Sequence, residues 1–351
     1  MAKLKKRATP VVPSDSAFAG TQLSLFQAFL CNTEDERDRL SNTVELWDSI
    51  PKYAVTQQNM NKARTKEGFL PRLEKTFIYK KNEYKVRISP AQIDDEEGGE
   101  KSYYPGANEE IIEDALRKIA VEQYKGFFDQ PEFKSGVVFS INLLRNELKK
   151  RGHTRSYQEI IRGLNILAGS HIEILLPDGK GFAKTNYLPS LAAVSRSRWT
   201  EDPEARWVAH FHPLVTQSIS SITYRQYNYH LMMSHTSQLA RWLHKVLSHN
   251  YVNAALTVPY CISLASIKRD SGLLECKRIN DDVRKLENVL KELIEHKVLF
   301  GYTKTDKRGD RNKIDDIDYV LSPHSDFVRD IKAANKRQQI GKTPDEKTIR
   351  N

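Results

Sequence analysis

Ile279-Asn-Asp-Asp-Val-Arg-Lys-Leu-Glu-Asn-Val-Leu-Lys-Glu-Leu-Ile-Glu-His296 is the stretch on which the fold turns. Ile279, Val283, Leu286, Leu290 and Leu293 step by four and three, which puts them on one face of a helix. The opposite face then carries Asp281, Arg284, Lys285 and Asn288, with Asn280 and Lys291 at its border. Upstream, Ser234 to Asn250 reads as a helix with Leu239, Trp242, Leu243, Val246 and Leu247 as its apolar stripe. Ser263 to about Arg269 reads as a short helix, capped by Ser263 and ended around Gly272. Downstream, Val298 to Thr303 and Ile314 to Leu321 read as strands flanking the polar, basic loop Lys304 to Lys313. Helix, short helix, long helix and hairpin, in that order, is the pattern of a winged helix.

The order also occurs earlier in the chain. Val137-Val-Phe-Ser-Ile141 predicts a short strand, Asn142 to Lys150 a short helix and Arg151-Gly-His153 a turn. Ser156 to Ala168 predicts a second helix with Ile160, Leu164 and Leu167 inward. Ile172 to Leu176, the turn Pro177 to Gly181 and Phe182 to Leu188 predict a hairpin. Before these stand a hairpin over Phe77 to Ile88, an acidic loop over Ile93 to Pro105 and a helix from about Glu109. Two copies of one supersecondary order suggest a pseudo-repeat. The expected class is α+β, with two tandem winged-helix domains over 69–222 and 223–330. Order is expected to begin near Phe69. Residues 1–68 read as a mostly disordered arm and 331–351 as a disordered basic tail, both too polar to offset chain entropy by burial.

The chain has 351 residues, is 39% hydrophobic and 28% charged, and carries a formal net charge of +10. That length allows two cores, and the charge fits a polyanionic partner. Cys31, Cys261 and Cys276 show no CxxC spacing, which argues for a reducing compartment and against a disulfide framework or zinc cluster. No apolar run approaches the roughly 18 residues needed to span a bilayer. Met1-Ala-Lys-Leu-Lys-Lys-Arg7 is basic, but Ala8-Thr-Pro-Val-Val-Pro13 stands where a signal peptide needs an apolar stretch. The expectation is a soluble cytoplasmic protein with no membrane partner, cofactor or bound metal.

A helix-turn-helix offers the start of its second helix to base edges in the major groove. Lys277 and Arg278 approach that helix here, and Asn280, Arg284, Lys285 and Asn288 lie on its polar side. Arg and Lys suit guanine O6 and N7, and Asn suits adenine N6 and N7. A solvated face on a packed helix is the plainer reading. Against it, cations gather at the helix start, where the macrodipole disfavours them unless a phosphate is near. Asp281 and Asp282 count on the other side, because they repel phosphate. Lys307, Arg308 and Arg311 in the hairpin loop suit backbone contacts that position the domain. The first domain offers Arg155, Arg162 and Lys180, a sparser set that could equally serve pairing with another protomer.

Gln22-Leu-Ser-Leu-Phe26 stands alone in a polar setting. Leu23, Leu25 and Phe26 as anchors, with Gln22 as a hydrogen-bonding group, suit docking into an apolar groove. The pentapeptide resembles the bacterial sliding-clamp binding motif. Ile340-Gly-Lys-Thr343 fails as a phosphate-binding loop, because Lys336 stands where that motif needs Gly. His210-Phe-His212, with Tyr224, Tyr227 and Tyr229 downstream, has the metal-plus-tyrosine layout of rolling-circle nicking enzymes but lacks an obvious third ligand. No Ser/His/Asp or paired-carboxylate set stands out, and no catalytic residue is expected.

From Gln22 to about Ser322 the chain resembles the TrfA-like plasmid replication initiators, within the tandem winged-helix iteron-binding group. Gln22 to Phe26 in an N-terminal arm carries part of the likeness. Tyr224 to Leu243 looks like that family's domain junction, and Arg278 to Val298 like its recognition helix. The acidic insert Asp94 to Glu100 and the long stretch before Phe69 depart from it. The resemblance implies a non-enzymatic initiator whose second domain binds repeated origin sequences in double-stranded DNA. It implies that the first domain adds DNA contacts or a homodimer interface. The arm would recruit the host sliding clamp, and helicase loading would come from host helicase and initiator proteins. A winged-helix transcriptional regulator shares the fold without a need for the clamp peptide.

Overall fold

The computed structural model describes residues 40–94, 99–122, 127–129, 134–177, 181–195, 198–199, 201–220 and 224–342. Gln22, Leu23, Leu25, Phe26, Cys31 and Lys180 lie outside them. The class is α+β, and every paired strand is antiparallel.

The described residues are ordered from Leu40 onward, well before Phe69. β1 (Leu40–Val44) runs into α1 (Glu45–Ser49), and α2 (Gln57–Ala63) follows, capped by the Thr56 hydroxyl. The reading as linker fails because Trp47, Ile50, Tyr53 and Met60, sparse in sequence, are all buried against elements far along the chain. Burying a large apolar side chain is worth about 1.5–3 kcal/mol, so four such anchors hold a segment that is otherwise polar.

β2 (Leu73–Tyr79) and β3 (Asn82–Ser89) form the expected hairpin, with Lys80 and Lys81 at φ 48° and 68° in its turn. The acidic insert is bounded by a second hairpin, β4 (Ala91–Asp94) and β5 (Glu100–Tyr103). α3 (Ala107–Glu122) then crosses the centre of the molecule, with Ile111, Ile112, Ala115, Leu116 and Ile119 buried. After β6 (Phe127–Asp129) and β7 (Lys134–Phe139) come α4 (Ile141–Lys150), capped by Ser140, and α5 (Tyr157–Gly169). Ser156 and Glu159 close a reciprocal capping box on α5, which satisfies two otherwise orphaned donors. β8 (His171–Leu175) and β9 (Phe182–Asn186) extend the first hairpin into a sheet of order β2-β3-β8-β9. β10 (Ser190–Val194) and β11 (Arg206–His210) join a second sheet of order β10-β11-β7-β6. α6 (Pro213–Ser220) leads to β12 (Tyr224–Asn228), which pairs with β1, and to α7 (Tyr229–Ser234).

One core runs from Val44 to Met233 and a second from Leu239 to Ile331. The first thus reaches past the expected 222/223 boundary, because Tyr227, Tyr229, Met232 and Met233 pack into it. The second unit contains α8 (Gln238–Asn250), β13 (Tyr260–Ser263), α9 (Leu264–Ser271), α10 (Ile279–Glu295), β14 (Leu299–Arg308), β15 (Ile314–Pro323) and α11 (Ser325–Lys342). Its sheet has the order β13-β15-β14. Residues 331–342, expected as tail, continue α11, with Ile331 and Ala334 buried.

Charges, not only apolar contacts, join the units. Lys245 of α8 donates to Asp114 (2.6 Å) and Glu110 (3.2 Å) of α3, all four-fifths or more hidden from solvent. Arg117 clamps Asp48 with two bonds of 3.0 and 2.9 Å and reaches Asp114 at 2.6 Å. Trp47 and Tyr53 donate to Glu113 from α1 and the turn after it. Burial opposes the charge on Asp48, but Arg117 and Lys52 outweigh it and hold the carboxyl far below the carboxylate range. Burial also opposes the charge on Lys245, yet Asp114 and Glu110 hold its ammonium above the ordinary lysine value. Every charge here has an opposite partner, although Glu110 Oε2 and Arg117 Nε lack a hydrogen bond, and a buried network of this kind fixes geometry more than it adds stability.

Candidate nucleic-acid interface

α9, the turn after it and α10 form a helix-turn-helix. Ser263 caps α9 by accepting from Ser266 N–H, and Gly272 ends it in the left-handed region at φ 63°. A Cβ at Gly272 would stand 2.6 Å from the Ala54 Cβ, so the turn also needs glycine for close packing against the first unit. Leu286, Val289, Leu290 and Leu293 of α10 face inward at 3% exposure or less. Lys277, Arg278, Asn280, Arg284, Lys285, Asn288 and Lys291 are exposed, as the helical spacing requires.

The two aspartates near the start of α10 have different surroundings. Asp282 is 1% exposed, accepts from Lys268 Nζ at 2.7 Å and from Cys276 N–H at 3.1 Å, and so anchors the turn from within. It presents no charge to a phosphate. Asp281 stays at the surface and pairs with Arg284 at 2.7 Å. Lys285 Nζ donates to the Leu273 carbonyl at 2.8 Å, which ties its head to the turn. Lys277, Arg278, Asn280, Asn288 and Lys291 have no side-chain partner among the described residues.

The hairpin after α10 is longer than its sequence suggested. Lys304 to Arg308 belong to β14 and pair with β15, so the loop shrinks to Gly309–Lys313 with a short 3-10 turn over Asp310–Asn312. Lys304 pairs with Glu287 of α10 at 2.6 Å, Lys307 with Asp318 at 2.7 Å and Arg308 with Asp306 at 3.1 Å. These pairs are exposed and weak, each worth about 0–1 kcal/mol, so a phosphate can displace the carboxylate. Arg311 lies in the 3-10 turn.

The first unit places its cations differently. Arg155 donates to Asn108 at 2.6 Å and to the Thr154 carbonyl at 2.8 Å, a brace between α3 and the start of α5. Arg162 is exposed and stacks over the Tyr103 ring of β5 at 4.3 Å.

Three members of the metal-plus-tyrosine layout, His212, Tyr227 and Tyr229, are taken up by packing. His212 is 2% exposed and stacks on Trp47 at 4.2 Å, and burial pushes its imidazole down to about 3. Tyr227 and Tyr229 are 4% and 0% exposed, out of reach of a phosphodiester. Among the described residues no three His, Cys, Asp or Glu side chains gather as a metal site. A histidine cluster that the sequence did not announce lies at the unit junction. His235 meets His244 at 2.9 Å and His296 at 2.8 Å, stacking on the latter. Burial, then the neighbouring histidines, push His235 down to about 2; burial, then His296 and Lys245, push His244 down to about 3.

No protein-family model and no curated protein matches the chain. Among solved structures, it is similar to selenomethionine-labelled domains 2 and 3 of RctB. That likeness has 12% identity, covers 80% of this chain and 98% of that one, and gives a TM-score of 0.49. It is also similar to the Pi initiator protein in complex with iteron DNA. There the identity is 11%, the coverage 62% of this chain and 94% of that one, and the TM-score 0.42.

Proposed function

We propose that the chain is a sequence-specific, double-stranded-DNA-binding replication initiator built on two tandem winged helices, acting without catalysis. The observation that carries this reading is α10. Its apolar face is sealed in the core while arginine, lysine and asparagine side chains stand exposed on the other side, at the end of a helix-turn-helix. The β14–β15 hairpin supplies a wing whose cations are held by partly exposed carboxylates and, for Arg308, by the Asn312 carbonyl as well. The ligand is repeated origin DNA. Gln22 to Phe26 would recruit the host sliding clamp, and host helicase and initiator proteins would do the remaining work in the bacterial cytoplasm. No helix among the described residues is long and apolar enough to cross a membrane.

Binding isotherms on direct repeats, at several salt concentrations, test the reading. Arg284→Ala should cost about 1–3 kcal/mol and relax specificity at one base position. Equal loss on every duplex demotes Arg284 to a phosphate contact, and no binding to any duplex ends the proposal. A regulator is separated from an initiator by the arm: clamp retention that is abolished in Leu25→Ala/Phe26→Ala favours the initiator.

A further inference from the structure

The contact between the turn leading into α10 and the first unit extends the nucleic-acid surface onto an element whose sequence reads as linker. Glu275, two residues before Lys277, accepts from Asn59 of α2 at 2.9 Å and from Lys75 of β2. Asp270, at the end of α9, accepts from the Ile78 backbone N–H of β2 at 3.0 Å. These bonds set α2 directly beside the approach to α10. The exposed surface of α2 and the turn after it is rich in donors: Gln57, Gln58, Asn61, Lys62 and Lys66 are exposed, Asn59 is half-buried against Glu275, and Glu67 is the one carboxylate from 57 to 67.

Burial and pairing separate the structural residues of this segment from the free ones. Met60 is 3% exposed and anchors α2 in the core. Arg64 donates to the Ser102 carbonyl at 2.8 Å and to Asn61 at 2.9 Å while stacking on Tyr103, so it is a brace. Lys62 and Lys66 have no ion-pair partner among the described residues. Two free ammonium groups, one on the anchored helix α2 and one in the turn after it, stand on the element that Glu275 ties to the approach to α10, where they can take phosphates flanking the segment read by α10.

We propose that α2 and its following turn form a phosphate-binding flank, with Lys62 and Lys66 as contact residues and Glu275 as the positioning residue that holds the flank against the reading helix. The proposal rests on the DNA-binding reading of α10. It adds that the first unit touches the duplex through α2 as well as through any contact of its own helix-turn-helix.

The test uses the full chain and duplexes that carry the α10 site with either long or short flanks. Neutralising one phosphate contact lowers the slope of log K against log salt by about 0.9. Lys62→Ala/Lys66→Ala should therefore flatten the slope by about two units on long duplexes and weaken all sequences alike. Trimming the flank from the DNA should remove that difference. A photo-crosslinking residue at Gln58 should label the flank, and Glu275→Ala should reduce the labelling. If Arg284→Ala changes binding while the double lysine variant keeps the wild-type slope and Gln58 does not crosslink, the flank is overturned and the reading of α10 stands. If the wild type binds no duplex, both fall together. Circular dichroism of the double variant should match wild type, since both side chains are exposed.

Discussion

α5 and α10 each follow a turn and a shorter helix, and each precedes a hairpin, yet the molecule uses their surfaces in opposite ways. α5 is covered along most of its length: Ile160, Ile161, Leu164, Ile166 and Leu167 are buried, Gly163 lets α3 approach so closely that a Cβ would stand 2.4 Å from Ile112, and Gln158, Glu159 and Arg162 stay exposed near its start. At its far end Gly169 packs on Ala91 of the β4–β5 hairpin, and Arg162 lies over Tyr103 of the same hairpin. A helix covered along most of its length has only its first turns left to meet a groove. α10 keeps a single apolar stripe and leaves the rest to solvent. The difference teaches that a shared element order does not confer a shared surface. What decides is whether later or inserted elements cover the second helix.

The largest expected effect concerns the joint between the units. Lys245→Ala leaves Asp114 and Glu110 buried beside one cation fewer, and breaking a buried pair from one side costs about 3–5 kcal/mol. Chemical denaturation should show that loss. A cost below about 1 kcal/mol would mean the joint is hydrated and the two units behave independently.

Acid should come next and should distinguish the two regions. The folded-state values of His235 and His244 lie below the ordinary 6.5. The unfolded chain therefore binds more protons below that pH. The stability these residues contribute is present above pH 6.5 and is lost as pH falls below it toward about 3. The first unit holds His212 in the same condition, but the junction holds a stacked cluster. Hydrogen exchange between pH 7.5 and 5.5 should therefore accelerate in α10 before α5. Simultaneous acceleration would show that the units open as one.

The smallest effect is expected from Arg162→Ala. If α5 is covered, DNA affinity should change by less than about tenfold, or about 1.4 kcal/mol, with no change in sequence preference. A specificity change as large as that of Arg284→Ala would show that the β4–β5 hairpin moves aside on DNA.

Much of this contrast was legible in the residues. The four-and-three spacing from Ile279 to Leu293 fixed both faces of α10, and Ser263 and Gly272 marked the ends of α9 as the structure has them. The covering of α5 was not legible, because an acidic loop gives no sign of the helix it packs against. Nor was the order of residues 40–68. Trp47 and Tyr53 look isolated until Glu113, some sixty residues on, receives their protons' hydrogen bonds. The extent of the β14–β15 hairpin was misjudged for a related reason. Lys304 and Lys307 look like loop residues, but Glu287 and Asp318, which hold them on a strand, are contributed by other elements.

The pairing of β1 with β12 has a practical corollary for dissecting the molecule. Leu40 lies opposite Asn228 and Val44 opposite Tyr224, so the first unit's opening and closing segments are stitched to each other. A fragment cut at Phe69 would lose the strand that covers β12 and strip the indole and phenol donors from Glu113. Any excised version should therefore retain 40–233 intact, and a circular permutant that links those neighbouring ends has its new termini best placed elsewhere on the surface.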